Sequence, residues 1–453
     1  MASTSFEVNL DIFGQRLVVI FTQISFCFIN ETDHAPEDLI SILERGLDYL
    51  GHSFPWLAGQ VVCEGATPSN TGTFKIVPLE RRPKLTIRDH RESMSMKTLQ
   101  SRNFSMADLH ESIVAPRNTS SGRPGETLAE VSQLQATLID GGIILTFLGQ
   151  HQALDGVGLG QVVHLFSKAC RGDDFTADEL RICDLANARP LELYDETWSP
   201  GLELEYNVVK VHASDPSPGR LRYKIPSEPG VWCHFNIDAQ CSSQIKSLAM
   251  EHLPDGCAYI SADDALSAFI WQAITRARYA RLDRSTPVLF ARAVDLRRCL
   301  ELPQIHPGFV QSMTYHSFAA DELVRPKSLG LIAANLRTAL QPEDLAHHGR
   351  SFATLISRTA DKTKTSYLAG FDMSRDVMLS SWTNQNSYEH DFGLGLGKPA
   401  AVRRPYFSSF PGLVYLLPKA PNGDIGVAVC LSREDMDTLK LDETFMSYVA
   451  FIG

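Results

Sequence analysis

The sequence has little of the positive charge, and none of the long apolar runs, that would indicate binding to nucleic acid or a membrane. Its 42 lysine and arginine residues are outnumbered by 53 aspartate and glutamate residues, which gives a formal net charge of −11. A protein with this balance does not attract polyanions over its surface as a whole. No apolar run is long enough to span a bilayer, and the first residues lack the basic region and apolar core of a secretory signal. We therefore expect a cytoplasmic protein that binds neither nucleic acid nor membranes.

Paired cysteines are also missing. The nine cysteines include no Cys-x-x-Cys pair and have no regular spacing, which argues against a disulfide framework and against a zinc site. Several of them lie in apolar runs of the kind that form a core. We expect reduced cysteines, no bound metal ion and no permanently bound cofactor.

A length of 453 residues exceeds what one hydrophobic core usually organises, so two domains are expected. Proline, glycine and serine crowd the stretch from about residue 194 to 231, which predicts a crossover between domains. The predicted division is residues 1–205, a linker at 206–231, and residues 232–453. A similar run at 116–127 predicts a surface loop. Strands and helices are mixed and hairpins outnumber βαβ units, which predicts an α+β fold.

The most informative stretch runs from Gly141 to Gly158. It begins with a short apolar run that predicts a buried strand, and it leads into apolar residues at the three- and four-residue spacing of a helix. His151 stands in the turn between the two, where rigid elements hold it on both sides while its ring can face a cleft. Asp155 stands where a carboxylate caps the first free N–H groups of a helix. His151 is therefore the strongest catalytic candidate.

The spacing of His151 and Asp155 is weakly specific by itself. The same spacing occurs at His34 and Asp38, in a charged run that predicts a solvent-exposed loop. Most of the 14 histidines in the chain must have structural roles only. The strand–turn–helix context of His151, with Gly156 and Gly158 behind it, distinguishes the two matches.

Three further patterns predict local structure. Asp140-Gly141 predicts a hairpin between strands at 131–139 and 142–150. Ser261 and Asp264 form a capping box at the start of a helix. Apolar residues at 40–50 predict a helix that ends at Gly51. Two strands are also predicted within residues 6–30, and a helix at residues 350–361.

His151-Gln-Ala-Leu-Asp155-Gly and Asp391-Phe-Gly-Leu-Gly395 together resemble the two signature motifs of the BAHD acyltransferases. Each motif alone is weak, but the pair in this order is specific. Segments at 54–59, 261–271, 293–297 and 379–382 also match that family, and the fungal trichothecene 3-O-acetyltransferase branch is the most similar. Leu394 stands where the family usually has Trp, and the fungal branch also has Leu at this position. The interior of the first motif differs from the branch, which leaves the acceptor open.

The resemblance implies two similar chloramphenicol-acetyltransferase-like domains with a solvent channel between them. An acyl-CoA, here expected to be acetyl-CoA, would enter from one face and a small-molecule alcohol from the other, with His151 between them. The implied enzyme is a monomeric O-acyltransferase that acts on a fungal secondary metabolite, a terpenoid alcohol similar to a trichothecene.

The resemblance also implies roles for single residues. Trp382 and Ser380 are candidate donors to the oxyanion of the reaction, and for Trp382 plain core packing is the alternative. Asp155 and Arg297 are expected to form a structural ion pair. The other residues with an implied structural role are Gly156, Asp391, Gly393 and Gly395. The candidate contacts to the negative charges of coenzyme A are Ser261, Arg276, Arg278, Lys398, Arg403 and Arg404. For each cation taken singly, a solvated surface charge is an equally good interpretation.

One histidine suffices for this chemistry. A neutral imidazole takes the proton of the alcohol as its oxygen attacks the thioester, and then returns that proton to the departing thiolate. No acyl-enzyme is required, so we expect a direct ternary-complex mechanism.

Three alternatives stay open. One is a condensation-domain-like enzyme, although such enzymes usually have a second histidine where this chain has Gln150. Another is a transferase of the same type that uses a different acyl donor, or an amine or another alcohol as acceptor. The last is a binding protein without turnover.

Overall fold

A computed structural model of the chain describes residues 6–16, 20–31, 34–79, 85–120, 129–210, 229–325 and 328–453. Strands and helices are mixed along the described residues, and the predicted α+β class is confirmed. Residues 121–127 of the predicted surface loop and residues 211–228 of the predicted linker lie outside the described residues. Below, the amino-terminal part means the described residues up to 210 and the carboxyl-terminal part means those from 229.

The strands are β1 Val8–Asn9, β2 Phe21–Ile29, β3 Gly59–Glu64, β4 Thr73–Pro78, β5 Thr86–Asp89, β6 Ala129–Glu130, β7 Ser132–Ile139, β8 Gly142–Gln150, β9 Val231–Ile237, β10 Pro287–Asp295, β11 Gln311–Ala319, β12 Val377–Ser381, β13 Ala401–Arg403, β14 Leu413–Leu416, β15 Ile425–Leu431 and β16 Ala450–Phe451. The α-helices are α1 Pro36–Ser53, α2 Met96–Ser101, α3 Glu111–Val114, α4 Gly156–Arg171, α5 Ala177–Ile182, α6 Ala239–Met250, α7 Ala262–Arg278, α8 Ala320–Leu323, α9 Ser328–Thr338, α10 Pro342–Arg358, α11 Arg433–Lys440 and α12 Glu443–Met446.

The described strands form three sheets. A five-stranded sheet has the order β13-β2-β8-β7-β5, a four-stranded sheet has the order β1-β4-β3-β6, and a seven-stranded sheet has the order β11-β10-β12-β14-β15-β9-β16. The predicted hairpin is confirmed, because β7 and β8 pair antiparallel with Ile139 opposite Gly142. Gly141 has φ of 71° in the turn, a conformation that glycine adopts without strain.

Two hydrophobic cores lie against the two larger sheets. In the first, β2, β7 and β8 pack with α1 and α4, which approach closely because Gly46 of α1 faces Cys170 without a side chain between them. In the second, the seven-stranded sheet packs with α6, α7, α9 and α11. All nine cysteines are unpaired, and four of them are buried. None of the described helices has both the length and the apolar character to cross a membrane.

Several predicted boundaries were wrong. Helix α1 does not end at Gly51, because the N–H of Phe54 still donates to Leu50 and continues the helical bonding past the glycine. Pro342 and the acidic residues after it start α10 well before the predicted residue 350, as expected of proline and carboxylates in a first helical turn. The first of two strands predicted within residues 6–30 is only two residues long, and a short 3-10 helix at Ile12–Gln15 follows it.

The two parts of the chain are interlocked. Strand β13, from the carboxyl-terminal part, pairs antiparallel with β2 and so belongs to the five-stranded sheet. Trp382, Tyr388 and Phe392 are buried in the first core. Conversely, Phe13 and Leu204 pack in a third core made mostly of carboxyl-terminal residues. The division at residues 206–231 stays a prediction, but the second motif packs against the amino-terminal part.

Candidate active site

His151 lies where β8 ends and α4 begins. Its backbone N–H donates to the carbonyl oxygen of Ile20 at 2.9 Å, and its ring Nδ1 is 3.0 Å from the carbonyl oxygen of Leu154. Because a carbonyl oxygen only accepts, Nδ1 carries the proton and Nε2 keeps its lone pair. The ring also packs edge-on against Phe309, with the two ring centroids 5.2 Å apart. The turn therefore holds the imidazole in the tautomer that a general base needs.

The surroundings of His151 keep its ring neutral. Burial lowers the pKa of His151, and the hydrogen bond to Leu154 and the charge of Asp155 oppose this only in part. The guanidinium groups of Arg404 and Arg16 lower the pKa further. A ring with a lowered pKa is available to accept a proton at neutral pH.

A cavity of about 450 Å³ opens beside His151. Its described lining comes from both parts of the chain, and its apolar and aromatic members include Phe21, Phe309, Met313, Tyr367, Phe407, Phe410 and Tyr415. The volume and this lining are typical of a site for a small organic molecule. A larger cavity of about 750 Å³ lies among residues 7–15, 181–193 and 301–310, and no residue of either motif is among its described lining.

Asp155 is buried, and both of its carboxylate oxygens are fully engaged. Oδ1 accepts from the N–H of Gly158 at 2.7 Å, which caps α4, and Oδ2 accepts from the N–H of Val310 at 2.8 Å. Arg297, also buried, donates to the two oxygens at 3.0 and 2.9 Å. The expected ion pair is present. Since Nδ1 of His151 is engaged by Leu154 instead, the two motif residues do not form the histidine–aspartate pair of a serine-hydrolase triad.

The ion pair also sets the position of Phe309. Arg297 donates to the carbonyl oxygens of His306 at 2.8 Å and Gly308 at 2.6 Å. Together with the bond from Val310 to Asp155, these contacts fix the backbone on both sides of Phe309. The packing of Phe309 against the His151 ring therefore depends on the ion pair of Asp155 and Arg297, which joins the two parts of the chain.

Trp382 and Ser380 are joined to each other. The indole N–H of Trp382 donates to Oγ of Ser380 at 3.1 Å, and the indole is buried in the first core. A Cβ added to Gly156 would lie 3.4 Å from the indole nitrogen, so the tryptophan packs against the first turn of α4. A hydroxyl oxygen that accepts this bond keeps its own hydrogen for donation. In this arrangement Trp382 orients the Ser380 hydroxyl. Neither residue is among the described lining of the His151 cavity, and their part in the reaction stays a prediction.

The second motif lies at the far end of α4. Gly393 and Gly395 have φ of 66° and 73°, so both need the left-handed conformation that favours glycine. The Asp391 side chain accepts from the N–H of Gly393 at 2.8 Å, and Arg171, the last residue of α4, donates to the Asp391 carbonyl oxygen at 2.5 Å. A helix of this length spans about 24 Å. The motif therefore braces the helix from its carboxyl end and does not contact the His151 turn.

Comparison with known proteins assigns the family. Residues 20–170 match the model of the trichothecene 3-O-acetyltransferase-like N-terminal domain, and residues 120–446 match that of the Transferase family. The O-acetyltransferase dmxR13 of a Cryptosporiopsis species is 40% identical over 98% of this chain and 98% of its own length. The trichothecene 3-O-acetyltransferase TRI101 of Fusarium sporotrichioides is 39% identical, over 100% of this chain and 98% of its own length. The chain belongs to the Transferase family of BAHD-type acyltransferases.

Solved structures agree with this assignment. The crystal structure of F. graminearum TRI101 complexed with coenzyme A and T-2 mycotoxin has a TM-score of 0.92 and 36% identity, over 99% of this chain and 100% of that one. Vinorine synthase, at 16% identity and a TM-score of 0.67, has the same fold over 99% of this chain and 95% of its own. The resemblance inferred from the two motifs and the two-domain fold that it implied are confirmed, and the chain is an acyltransferase.

The predicted contacts to coenzyme A are only partly compatible with the structure of this acyltransferase. Arg278 was wrongly predicted, because its side chain is fully buried and is 3.1 Å from Asp435. Arg404 is likewise buried, and it lines the His151 cavity rather than a surface that a phosphate group could reach.

The other four predicted contacts are at least partly exposed, so their role stays a prediction, but each already has partners. Arg276 pairs with Asp442 at 2.7 Å, and Lys398 pairs with Glu389 at 2.5 Å. Arg403 donates to the carbonyl oxygens of Val402, Phe104 and Asn103 and to the hydroxyl of Tyr388. Ser261 forms the capping box with Asp264.

Sequence reasoning missed several residues beside His151: Arg16, Phe309, Tyr367 and Tyr415. They come from four separate segments of the chain, and each has an ordinary local sequence. Only Phe309 had an indirect signal, since it follows the arginine segment that was expected to pair with Asp155.

Proposed function

We propose that this chain transfers the acetyl group of acetyl-CoA to a hydroxyl group of a fungal secondary metabolite, a terpenoid alcohol similar to a trichothecene. The observation that carries the proposal is the His151 ring, held neutral with Nδ1 bonded to Leu154 and Nε2 left for the 450 Å³ cavity. The names of the relatives support the donor and the acceptor class, as does the complex of F. graminearum TRI101 with coenzyme A and T-2 mycotoxin.

The reaction proceeds in one ternary complex. Nε2 of His151 takes the hydroxyl proton of the acceptor as its oxygen forms a bond to the thioester carbonyl carbon. The Ser380 hydroxyl, oriented by Trp382, donates to the oxyanion. Collapse of the tetrahedral intermediate breaks the C–S bond, and the imidazolium returns its proton to the thiolate. The products are the acetate ester and free coenzyme A. Base catalysis of this kind contributes about 10²- to 10⁴-fold to the rate.

The donor reaches His151 from the junction of the two parts of the chain. Ser261, Arg276, Lys398 and Arg403 are the candidates to meet its negative charges, because each is at least partly exposed. A condensation-domain-like activity has less support, because Gln150 stands where such enzymes usually have a second histidine, and its amide, which donates to Gln152 at 3.2 Å, cannot take up a proton.

The test is product mass from the purified protein with acetyl-CoA and a panel of fungal terpenoid alcohols. We expect the wild type to add one acetyl group and His151→Ala to lose this activity. His34→Ala is the matched control, since His34 has the same spacing to an aspartate but lies outside the cavity lining, and it should remain active. An acetylated protein formed from donor alone would contradict the direct mechanism. A wild type that binds no coenzyme A and transfers no acetyl group would overturn the function.

A further inference from the structure

Two buried arginines line the His151 cavity without a carboxylate partner. Arg16 is 4% exposed and Arg404 is 3% exposed. A buried arginine normally pairs with an acidic side chain, because an isolated charge is expensive to desolvate. Within the described part of the chain, neither arginine forms such a pair, and the Nε–H of each has no hydrogen-bond partner.

Aromatic rings hold both guanidinium groups in place. Cζ of Arg16 lies 3.6 Å from the ring centroid of Tyr367 and 5.5 Å from that of Phe352. Cζ of Arg404 lies 4.4 Å from the ring centroid of Tyr415 and 4.8 Å from that of Phe407. Such contacts attract the cation through the face of its plane. The N–H donors lie in the guanidinium plane, and the tyrosine hydroxyls that contact them, those of Tyr367 and Tyr415, are neutral, so donors remain for an anionic oxygen ligand.

The cavity as a whole is positively charged. Its described lining contains three cations, Arg16, Lys362 and Arg404, and no aspartate or glutamate, although acidic residues outnumber basic ones in the sequence. Burial lowers the pKa of Arg404, and the charge of Glu111 opposes this in part. One oxygen of that carboxylate already accepts from Gln23 and from the N–H of Thr119. The charges in the cavity are thus left for a ligand to neutralise.

We propose that Arg16 and Arg404 determine acceptor specificity, and that the acceptor carries an anionic oxygen group, a carboxylate or an ionised phenol, besides the hydroxyl that is acetylated. The proposal rests on the function proposed above and narrows its acceptor. A planar guanidinium binds a carboxylate with two parallel hydrogen bonds, which fixes the orientation of the ligand as well as its charge. The phosphates of coenzyme A lie at the opposite end of the pantetheine arm from the thioester. A donor whose thioester is at His151 therefore does not place its phosphates among the residues of this cavity.

The test compares hydroxy acids with their methyl esters. Gibberellic acid and deoxycholic acid, each beside its methyl ester, supply two terpenoid-sized pairs that differ in the negative charge and in one methyl group. Acetyl transfer is measured as kcat/KM, and binding to the protein in the presence of coenzyme A is measured by calorimetry. We expect the wild type to favour the acid over the ester by about 10- to 100-fold, the range of a hydrogen bond to a charged group.

The variants Arg16→Met and Arg404→Met keep an unbranched, partly apolar side chain and remove its charge and its N–H donors. Each should reduce the ratio of kcat/KM for the acid to kcat/KM for the ester about tenfold or more, so that both are used nearly equally. Because the ratio is taken within one variant, loss of folded protein cancels. Arg358→Met is the matched control, since Arg358 also stacks on an aromatic ring, that of Trp198 at 5.4 Å, but lies outside the described cavity lining. Its ratio should equal that of the wild type.

Several outcomes would overturn the inference while leaving the acetyltransferase function intact. The first is a wild type that uses acid and ester equally or prefers the ester. The second is an acid-to-ester ratio of kcat/KM that stays unchanged in both arginine variants. The third is a variant that raises only the KM for acetyl-CoA. Acetylation of neutral alcohols with no binding of either acid would overturn it as well. A protein that binds no coenzyme A and acetylates no alcohol would overturn the proposed function, and the inference with it.

Discussion

The protonation state of His151 depends on two residues that are distant in the sequence. Burial lowers the pKa of the ring, and the positive charges of Arg404 and Arg16 lower it further. As pH falls, kcat/KM should therefore hold through the ordinary titration range of histidine and decline only below it. In Arg16→Met one repelling charge is absent, so the pKa of His151 should rise and the acid limb of the profile should move to higher pH. The pH dependence of kcat/KM with a neutral acceptor measures this. An acid limb that does not move would show that Arg16 has no electrostatic effect on the ring.

Asp155 has a structural role that mutation can separate from catalysis. In Asp155→Asn, the buried Arg297 loses its bidentate partner, and the amide cannot accept on both sides. The free energy of unfolding should fall by about 3–5 kcal/mol, the usual cost of an unpaired buried charge. Residual activity should fall as well, because Phe309 is no longer fixed beside His151. Denaturant unfolding and kcat on the same samples measure the two effects.

Asp295 provides the matched control for that variant. It bonds the same arginine at 2.7 Å, but its side chain is 32% exposed. Asp295→Asn should therefore lower the free energy of unfolding by only about 1 kcal/mol or less. If Asp155→Asn kept full stability and lost all activity, Asp155 would have to be assigned to the chemistry.

At the scale of single elements, two glycines that look alike in the sequence have opposite structural roles. Gly395 has φ of 73°, and a Cβ there would lie 2.7 Å from Nε2 of His34. Gly395→Ala should cost about 1–3 kcal/mol of stability. Gly51 lies inside α1 with no heavy atom within 4 Å of its missing Cβ, so Gly51→Ala should stabilise the protein by about 0.5–1 kcal/mol.

Thermal or denaturant unfolding of the two alanine variants, with kcat of the folded fraction, tests these roles. We expect kcat to change little in Gly395→Ala, since the second motif braces the end of α4 away from His151. A variant of full stability without activity would place the second motif in the reaction itself.

Local chemistry explains which elements were predictable. The turn at Asp140-Gly141, the cap at Asp155 and the capping box at Ser261 each depend on residues close in the sequence, and all three were predicted. The end of α1 at Gly51 was wrongly predicted, because the cost of a glycine inside a helix, about 0.5–1 kcal/mol, is small enough for the helical bonding to continue past it. The burial of Arg278 and Arg404, and the meeting of Arg16 with Tyr367, depend on contacts between distant segments. No local sequence pattern predicts such long-range contacts. Basic residues near the motifs were therefore interpreted as contacts to the phosphates of coenzyme A.

At the scale of the whole molecule, the catalytic turn depends on contacts that cross between the two parts of the chain. The bond network of Asp155 and Arg297 is one such contact, and the pairing of β13 with β2 is another. A third is Leu204, which belongs to the amino-terminal part but packs in a core of carboxyl-terminal residues. Because these contacts are extensive and buried, we expect the two parts to unfold as a single cooperative unit.

This interlocking predicts that the covalent connection between the parts is dispensable once the protein has folded. A site for a specific protease, inserted between Lys210 and Pro229, would allow the folded chain to be cut. We expect the cut protein to elute from a sizing column as one species of the intact mass, to keep its acetyl transfer activity and to unfold in one transition. The uncut insertion variant and protease-treated wild type are the controls. Separation of two fragments in buffer without denaturant would show that the contacts through β13 and Arg297 do not hold the parts together. In that case the position of Phe309 beside His151 would depend on the connection, and cutting should abolish activity in proportion to the separated fraction.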